Sequence, residues 1–363
     1  MSDGVGKRRG DGVSVTGWGA RRGFALPLHL LQRSASILVA VTLTFFGLLL
    51  VTFLIGRVMP IDPVLAVVGD RATAELYQRT RVELGLDLPL YHQFYLYASK
   101  VLHGDFGRSV LTSNPVLSDI VRFFPATLEL ATLATIFGVA LGVPLGVAAA
   151  ANQDRWQDQI IRVVGLLGYS IPVFWLGLVG LLVFYARLGW VAGPGRLDVG
   201  YDDIIDPVTG LILVDSLLAG EWDVFVNALR HIALPAMLLG YFSLAYISRM
   251  TRSFMLEQLR QEYIVTARVK GLDEHHVVWR HAFGNILLPL VTVIALSYAN
   301  LLEGSVLTET VFAWPGIGSY ITNSLLNADM NAVLGGTIVV GVVFIGLNLA
   351  SDMLYRLLDP RTR

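Results

Sequence analysis

Glu262-Tyr-Ile-Val-Thr-Ala267-Arg-Val-Lys-Gly271-Leu-Asp-Glu-His-His276, continuing through Val277 to Asn285 and Ile286-Leu-Leu-Pro289, is the stretch on which the reading of this chain turns. It is a charged, helix-prone insert between two hydrophobic segments. Strong helix formers from Leu256 to Val269 stop at Gly271, a residue suited to the left-handed conformation that closes helices. Asp273 can then cap a second helix, predicted over Glu274 to Phe283. Two short helices meeting at a glycine corner make a compact knob, a shape a partner can grip.

Outward from this insert the chain is apolar. Of 363 residues 54% are hydrophobic and 15% charged, and the mean hydropathy is +0.62, far from a soluble balance. The absence of cysteine excludes disulfides and thiolate chemistry. Lysine occurs only at Lys7, Lys100 and Lys270, none in a Gly-Lys-Ser/Thr phosphate loop, so this chain cannot bind ATP through that motif. With basic residues spread among loops, the net charge of -1 gives no reason to expect nucleic acid.

In chain order, residues 1–33 are basic, rich in Gly and Arg, and read as disordered. The first span is predicted over 34–56, its Ser34–Ile55 core running 22 residues without a charge, enough to cross a bilayer. A polar segment, 57–125, follows, with candidate helices at Arg71–Leu84 and Leu90–Leu102, and reads as an extracytoplasmic subdomain with balanced charge. The remaining spans are predicted at 126–151, 160–186, 231–248, 285–302 and 332–350, with the charged loop at 249–284. Cytoplasmic segments on this reading hold 17 of the 27 Lys and Arg, which places both termini inside. The 189–230 loop is long and acidic, and could widen a receptor contact or be tolerated on the surface. The expectation is an all-α integral membrane protein of six transmembrane helices.

Several polar or small residues in or beside the spans are candidates for a translocation path or for helix packing. Glu129 is expected in the first turn of the second span, where a carboxylate favours a helix N-terminus. Gly138, Gly142 and Gly146 recur every four residues and form a small-residue face for close packing. Tyr298 and Asn300 are polar positions in the fifth span, and Glu303 lies at its outer end. Pro315-Gly316 suits a type II turn, with Trp314 beside it at the membrane–water boundary.

These phrases carry a resemblance. Glu262, Ala267 and Gly271 with Ile286 and Pro289 look like the "EAA" cytoplasmic loop of ABC-transporter permeases, and Glu262-Tyr-x-x-Thr266-Ala267-Arg268-x-Lys270-Gly271-Leu272 resembles its dipeptide, oligopeptide and nickel branch. Met59-Pro-Ile-Asp-Pro63, Leu84-Gly-Leu-Asp87, Gly104-Asp-Phe-Gly-Arg-Ser109, Pro125-Ala-Thr-Leu-Glu129-Leu and Tyr355-Arg-Leu-Leu-Asp-Pro-Arg361 are similar to phrases of the same branch. So is the extracytoplasmic motif Leu307-Thr-Glu309-Thr-Val-Phe312-Ala-Trp314-Pro315-Gly316-Ile-Gly318. The resemblance implies a type I importer permease with the coupling loop between the fourth and fifth spans, in a bacterial inner membrane. Glu262, Tyr263, Thr266, Ala267, Arg268, Lys270, Gly271 and Leu272 would seat on an ATP-hydrolysing subunit. Implied partners are a second homologous permease, two ATP-binding subunits, an extracytoplasmic substrate-binding protein and membrane lipid, without nucleic acid. ATP and magnesium would sit in the partner subunits, with no cofactor or metal on this chain.

Catalytic patterns are missing. The seven histidines form no His-Glu-x-x-His pair, and Gly168-Tyr-Ser170 lacks the second glycine of a nucleophile elbow. The sequence therefore reads as a transport subunit and not an enzyme, for peptides or, alternatively, nickel or another solute. An ATP-independent transporter or channel is the second class.

Overall fold

The computed structural model describes residues 28–58, 63–69, 71–201 and 204–358. The basic segment 1–27, Met59 to Asp62 of the first loop and Asp359 to Arg363 of the tail lie outside them, as do the expectations made for those residues. Residues 1–44 and 45–363 are separate compact units. Among the described residues every regular element is a helix. Five helices are long and apolar enough to cross a membrane, or six if one bent pair counts as a single span.

Helix α1 (Leu28–Val58) is followed by three short helices, α2 (Pro63–Val68), α3 (Ala74–Glu83) and α4 (Leu90–Leu102). Thr73 caps α3 by accepting from the Leu76 amide, 3.3 Å. The second span, α5 (Val116–Ala151), begins ten residues before the expected boundary and carries both Pro125 and Pro144 in its interior. The fourth, α9 (Trp222–Leu259), likewise extends past 231–248 at both ends. Hydropathy marks only the part that lipid demands, whereas backbone hydrogen bonding continues through the polar ends. A helix of 38 residues is about 57 Å long, nearly twice the hydrocarbon thickness.

The third span is not one helix. α6 (Trp156–Ser170) and α7 (Val173–Gly180), which continues as a π-helical turn over Leu181–Arg187, meet at a 97° bend. Pro172 explains the break: it lacks an amide proton and drives Ile171 out of helical geometry, to φ -100° and ψ 127°.

After α8 (Ile212–Ala219) and α9 come α10 (Glu262–Val269) and α11 (Glu274–His276). The expected helix from Leu256 to Val269 is interrupted at Arg260-Gln261. The expected separate helix over Glu274–Phe283 is not separate either. It passes through a π-helical stretch, Val277–Ala282, straight into α12 (Phe283–Gly304). Two short helices, α13 (Val306–Val311) and α14 (Ile317–Leu326), precede the last span, α15 (Met330–Leu358).

The frame is the seam of α5 against α9. A Cβ built on Gly138 would stand 2.6 Å from Ser243 Oγ, and one on Gly146 2.6 Å from the Ser248 carbonyl oxygen. Gly142 faces the Leu244 carbonyl at 3.1 Å. The glycine row thus lets two backbones of the same chain approach, which in lipid replaces the hydrophobic drive that water would give.

Candidate functional site

Helix α10 is built as an exposed ledge on a buried root. Ile264 and Ala267 are buried with Met255 of α9, Val277 and Ala282 of the π-helical stretch, and Ile286 of α12. Full burial of one aliphatic side chain contributes about 1.5–3 kcal/mol, enough to hold a two-turn helix that propensity alone would not. The helix ends in a Schellman motif: the Gly271 amide donates to the Arg268 carbonyl at 2.9 Å and the Leu272 amide to Ala267 at 3.3 Å. Gly271 has φ +79°, and space for a side chain is open there, so conformation and not crowding selects glycine. Asp273 accepts from the His275 amide, 3.1 Å, starting the return. Arg268 forks onto Glu274, Nε to Oε2 at 3.0 Å and Nη2 to Oε1 at 2.6 Å, closing the corner.

The other predicted members of this loop point away. Tyr263, Val265 and Leu272 are exposed and Val269 is 82% exposed. The Tyr263 hydroxyl is nevertheless fixed, donating to Gln258 Oε1 and accepting from Asn285 Nδ2, both at 2.9 Å. Thr266 turns its hydroxyl onto the Glu262 carbonyl, 3.0 Å. Glu262 and Lys270 are exposed, and the Glu262 carboxylate has no hydrogen-bond partner among the described residues.

A second feature is a cavity of about 660 Å³ at the α6–α7 break, between α9 and α12. Its polar lining includes Ser170, Ser243, Ser297 and Asn300, with Arg249 also on the wall and Phe242 and Tyr246 among the aromatic surfaces. Ser243 and Ser297 bond to each other at 2.9 Å. Of the candidate path residues only Asn300 reaches this cavity. Tyr298 bonds Thr132 of α5 at 3.1 Å, and Glu303 lines a crevice of only about 10 Å³ beside α15. The serines and the break escaped sequence reading, although Ser170-Ile-Pro172 inside an apolar run was the available signal.

At the opposite end of α12 the predicted motif is interior. Glu309 is 0% exposed. It accepts from Thr127 Oγ1 at 2.7 Å, Ser305 Oγ at 2.8 Å and the Ser319 amide at 2.8 Å. Burial pushes its carboxyl up, against these donors. Trp314, expected at the membrane boundary, is fully buried and donates Nε1–H to the Ala126 carbonyl, 2.9 Å. The expected type II turn does not form: Gly316 has φ -98° and ψ 177°, and the positive φ falls on Ala313, +46°. Phe312 is buried, and Pro315 lines the wall of a neighbouring cavity. Gly316 and Gly318 lie against the Glu309 carboxyl, where any Cβ would collide.

Glu129 also departs from its expected place, because α5 starts so far upstream. It stands well inside the helix, 6% exposed, pairing with Arg196 Nη2 at 2.6 Å and accepting from the Leu213 amide at 2.8 Å. Arg196 also donates to the Gly210 carbonyl, 2.8 Å, and lies over the Trp314 ring, 5.8 Å from guanidinium carbon to centroid. The long acidic loop is thereby tied down. Asn227 donates to Asp198 Oδ2 at 2.6 Å, and this bond holds the Asp198 carboxyl below its usual range despite desolvation. Burial tends to raise Asp215, but Thr209 and the Gly210 amide outweigh it and lower that carboxyl too.

These features define a polytopic helical membrane protein with an exposed ledge on a buried root and an open, largely apolar cavity that carries a few polar side chains. A family model described as "Binding-protein-dependent transport system inner membrane component" matches residues 142–363, and "Binding-prot-dependent transport system membrane comp, N-term" matches residues 28–131. The chain belongs to this family and is a multi-pass transport permease of a bacterial inner membrane. It is 45% identical over 318 residues to the probable D,D-dipeptide transport system permease protein DdpB of Escherichia coli (strain K12), covering 87% of this chain and 92% of that one. To the di/tripeptide transport system permease protein DppB of Pseudomonas aeruginosa (strain UCBPP-PA14) it is 43% identical over 321 residues, covering 88% and 95%. The fold is similar to that of the MetNI methionine ABC transporter in inward-facing conformations, at TM-score 0.51 and 18% identity over 68% of this chain and 100% of that one.

Proposed function

We propose that this chain is one of two permeases in an ATP-driven importer of di- or oligopeptides, with both termini and the α10 ledge on the cytoplasmic side. The observation that carries the reading is the ledge. Ile264 and Ala267 fix it to α9 and α12 while Tyr263, Val265, Val269 and Leu272 face outward, uncovered by any described part of the chain. An apolar rim on a rigid mount transmits force, because a push on α10 moves α9 and α12 as a body. The partner is an ATP-binding subunit, two of which carry the nucleotide and magnesium; this chain holds no cofactor. The Ser243–Ser297 cavity between those helices then opens and closes along the path that solute takes after an extracytoplasmic receptor delivers it. The relatives' printed substrates support a peptide cargo, with nickel or another solute of the same branch as the alternative.

Uptake of a labelled dipeptide by proteoliposomes holding this chain, its permease partner, both ATP-binding subunits and loaded receptor tests the reading. Uptake should require ATP and all subunits; transport by this chain alone would place it in the ATP-independent class. Reporters fused after Asn114 and Gly220 should read outside and one after Glu274 inside. The reverse pattern would overturn the orientation.

A further inference from the structure

Helix α4, in the segment that reads as an extracytoplasmic subdomain, packs against the spans themselves. Phe94 meets Phe46 and Phe53 of α1 edge-on, with ring centroids 5.6 and 5.4 Å apart. Tyr97 lies 5.7 Å from Phe53 and donates its hydroxyl to Thr52 Oγ1 at 2.9 Å. Val101 is buried with Leu49 of α1 and Ile338 of α15.

Those partners are deep. Phe46 precedes the end of α1 at Val58 by twelve residues, about 18 Å along the axis, and Ile338 follows the start of α15 at Met330 by eight, about 12 Å. A hydrocarbon layer of about 30 Å cannot be shifted to leave Phe46 in water. In the sequence Phe46 follows Arg33 by only thirteen residues, a span of about 20 Å at helical rise, so the layer would then have to swallow the basic segment before it. We infer that α4 is embedded in one leaflet of the membrane, with Leu90, Tyr91, Tyr95 and Leu102 presented to lipid.

Its outward face fits that occupant. Tyr91, Tyr95 and Leu102 lie about a quarter-turn round the helix from Phe94, Tyr97 and Val101 and are exposed, as are Leu90 and the neighbouring His92. On α1, Phe46, Leu50 and Leu54 are exposed too, so the lipid-facing surface of that span continues onto α4 through the Phe46–Phe94 contact. Tyrosine is a residue of the membrane interface. Residues 90–102 contain no acid, and the one full charge, Lys100, has a stem long enough to reach the headgroups. The polar Gln93 is turned inward, donating Nε2–H to the carbonyls of Leu86 and Leu88 at 3.3 and 2.7 Å.

Because the chain has no cysteine, single thiols can be placed without background. Tyr91→Cys, Tyr95→Cys and Leu102→Cys would be nitroxide-labelled on the full chain and reconstituted, alone and in the assembled transporter, in vesicles of phosphatidylethanolamine and phosphatidylglycerol. Leu50→Cys serves as the lipid reference and Arg79→Cys as the water reference. Collisions with oxygen should exceed collisions with a polar nickel chelate, in the ratio seen at Leu50→Cys and severalfold above that at Arg79→Cys. Chelate access matching Arg79→Cys would put α4 in water, and loss of both collision signals in the assembled transporter would put a protein partner on this face. Either result overturns the inference. Which leaflet holds α4 follows from the orientation proposed above, whereas the embedding does not. Reduction of the label by a membrane-impermeant reagent added outside reports the leaflet separately.

Discussion

Two glycine-punctuated loops flank α12, residues 262–272 before it and 305–319 after it, and each contains a glutamate seven to nine residues ahead of a glycine. In the first, Glu262 is exposed and finds no partner among the described residues, while valines and a leucine face out. In the second, Glu309 is sealed among Thr127, Ser305 and Ser319, and Trp314 is driven into the core. The difference lies in who supplies the donors. A buried carboxylate is tolerable only where nearby groups satisfy it. α5 and α14 surround the second loop with such groups, and no described residue does so for the first. A recognisable sequence phrase can therefore mark an internal joint or a surface left for another protein, and the two demand opposite mutational behaviour.

The largest effect is expected in the sealed loop. Gly316→Val places a Cβ 2.5 Å from the Thr127 hydroxyl oxygen and against the Glu309 carboxyl, and overpacking of this kind costs about 1–3 kcal/mol or more. Detergent-solubilised yield and thermal stability should collapse even without partners; wild-type values would mean the loop is loosely held. Next in size is the ion pair that ties the acidic loop to α5. Glu129→Ala leaves Arg196 nearly buried and uncompensated, a loss of about 3 kcal/mol. Proteolysis within residues 197–210 should accelerate, and adding Arg196→Met should recover part of the protection. Equal damage from both variants would remove the coupling.

At the exposed loop the chain itself should barely notice. Gly271→Val strains a left-handed position by about 1–3 kcal/mol, locally. The variant should remain inserted and bound to its permease partner while losing ATP-binding subunits and receptor-stimulated hydrolysis, with Glu262→Ala showing a weaker form of the same defect. Co-purification of the subunits decides it. Retention of full coupling by Gly271→Val would move the contact to the turn at Asn152–Gln159.

The smallest effect distinguishes two carboxyls by pH. Asp215 is lowered in the fold, so its contribution is present above the ordinary carboxylate range and is lost as pH falls through the folded value. Glu309 is raised, so stability is greatest below the ordinary range and declines as pH rises toward the folded value. Amide protection in 207–219, corrected for the intrinsic exchange rate at each pH, should fall on acidification, an effect that Asp215→Asn abolishes. Corrected protection in 305–319 should rise on acidification, and the same sign in both segments would contradict the assignment.

Much of this was legible in one dimension. Apolar run lengths gave five of the spans as helices, and the helix-formers ending at Gly271 gave the first half of the knob, because each depends on composition or on local backbone preference; the distribution of Lys and Arg gave only an expected orientation. The glycine row in α5 was legible as a face, since a four-residue spacing stays on one side of any helix. Its partner was not, because Ser243 and Ser248 lie a hundred residues away. The fate of Glu129, Glu309 and Trp314 was likewise closed to the sequence. Each was assigned a surface or terminal role from its neighbours in the chain, and each was taken inside by donors and carbonyls from α5, α14 or the 196–213 loop. α4 was legible as a helix over Leu90–Leu102 in an extracytoplasmic subdomain, but not the burial of its aromatic side chains against α1 and α15. Local preference decides what forms a helix, and only the assembled bundle decides which face of it meets protein, water or lipid, since satisfaction of a buried polar group depends on residues remote in sequence.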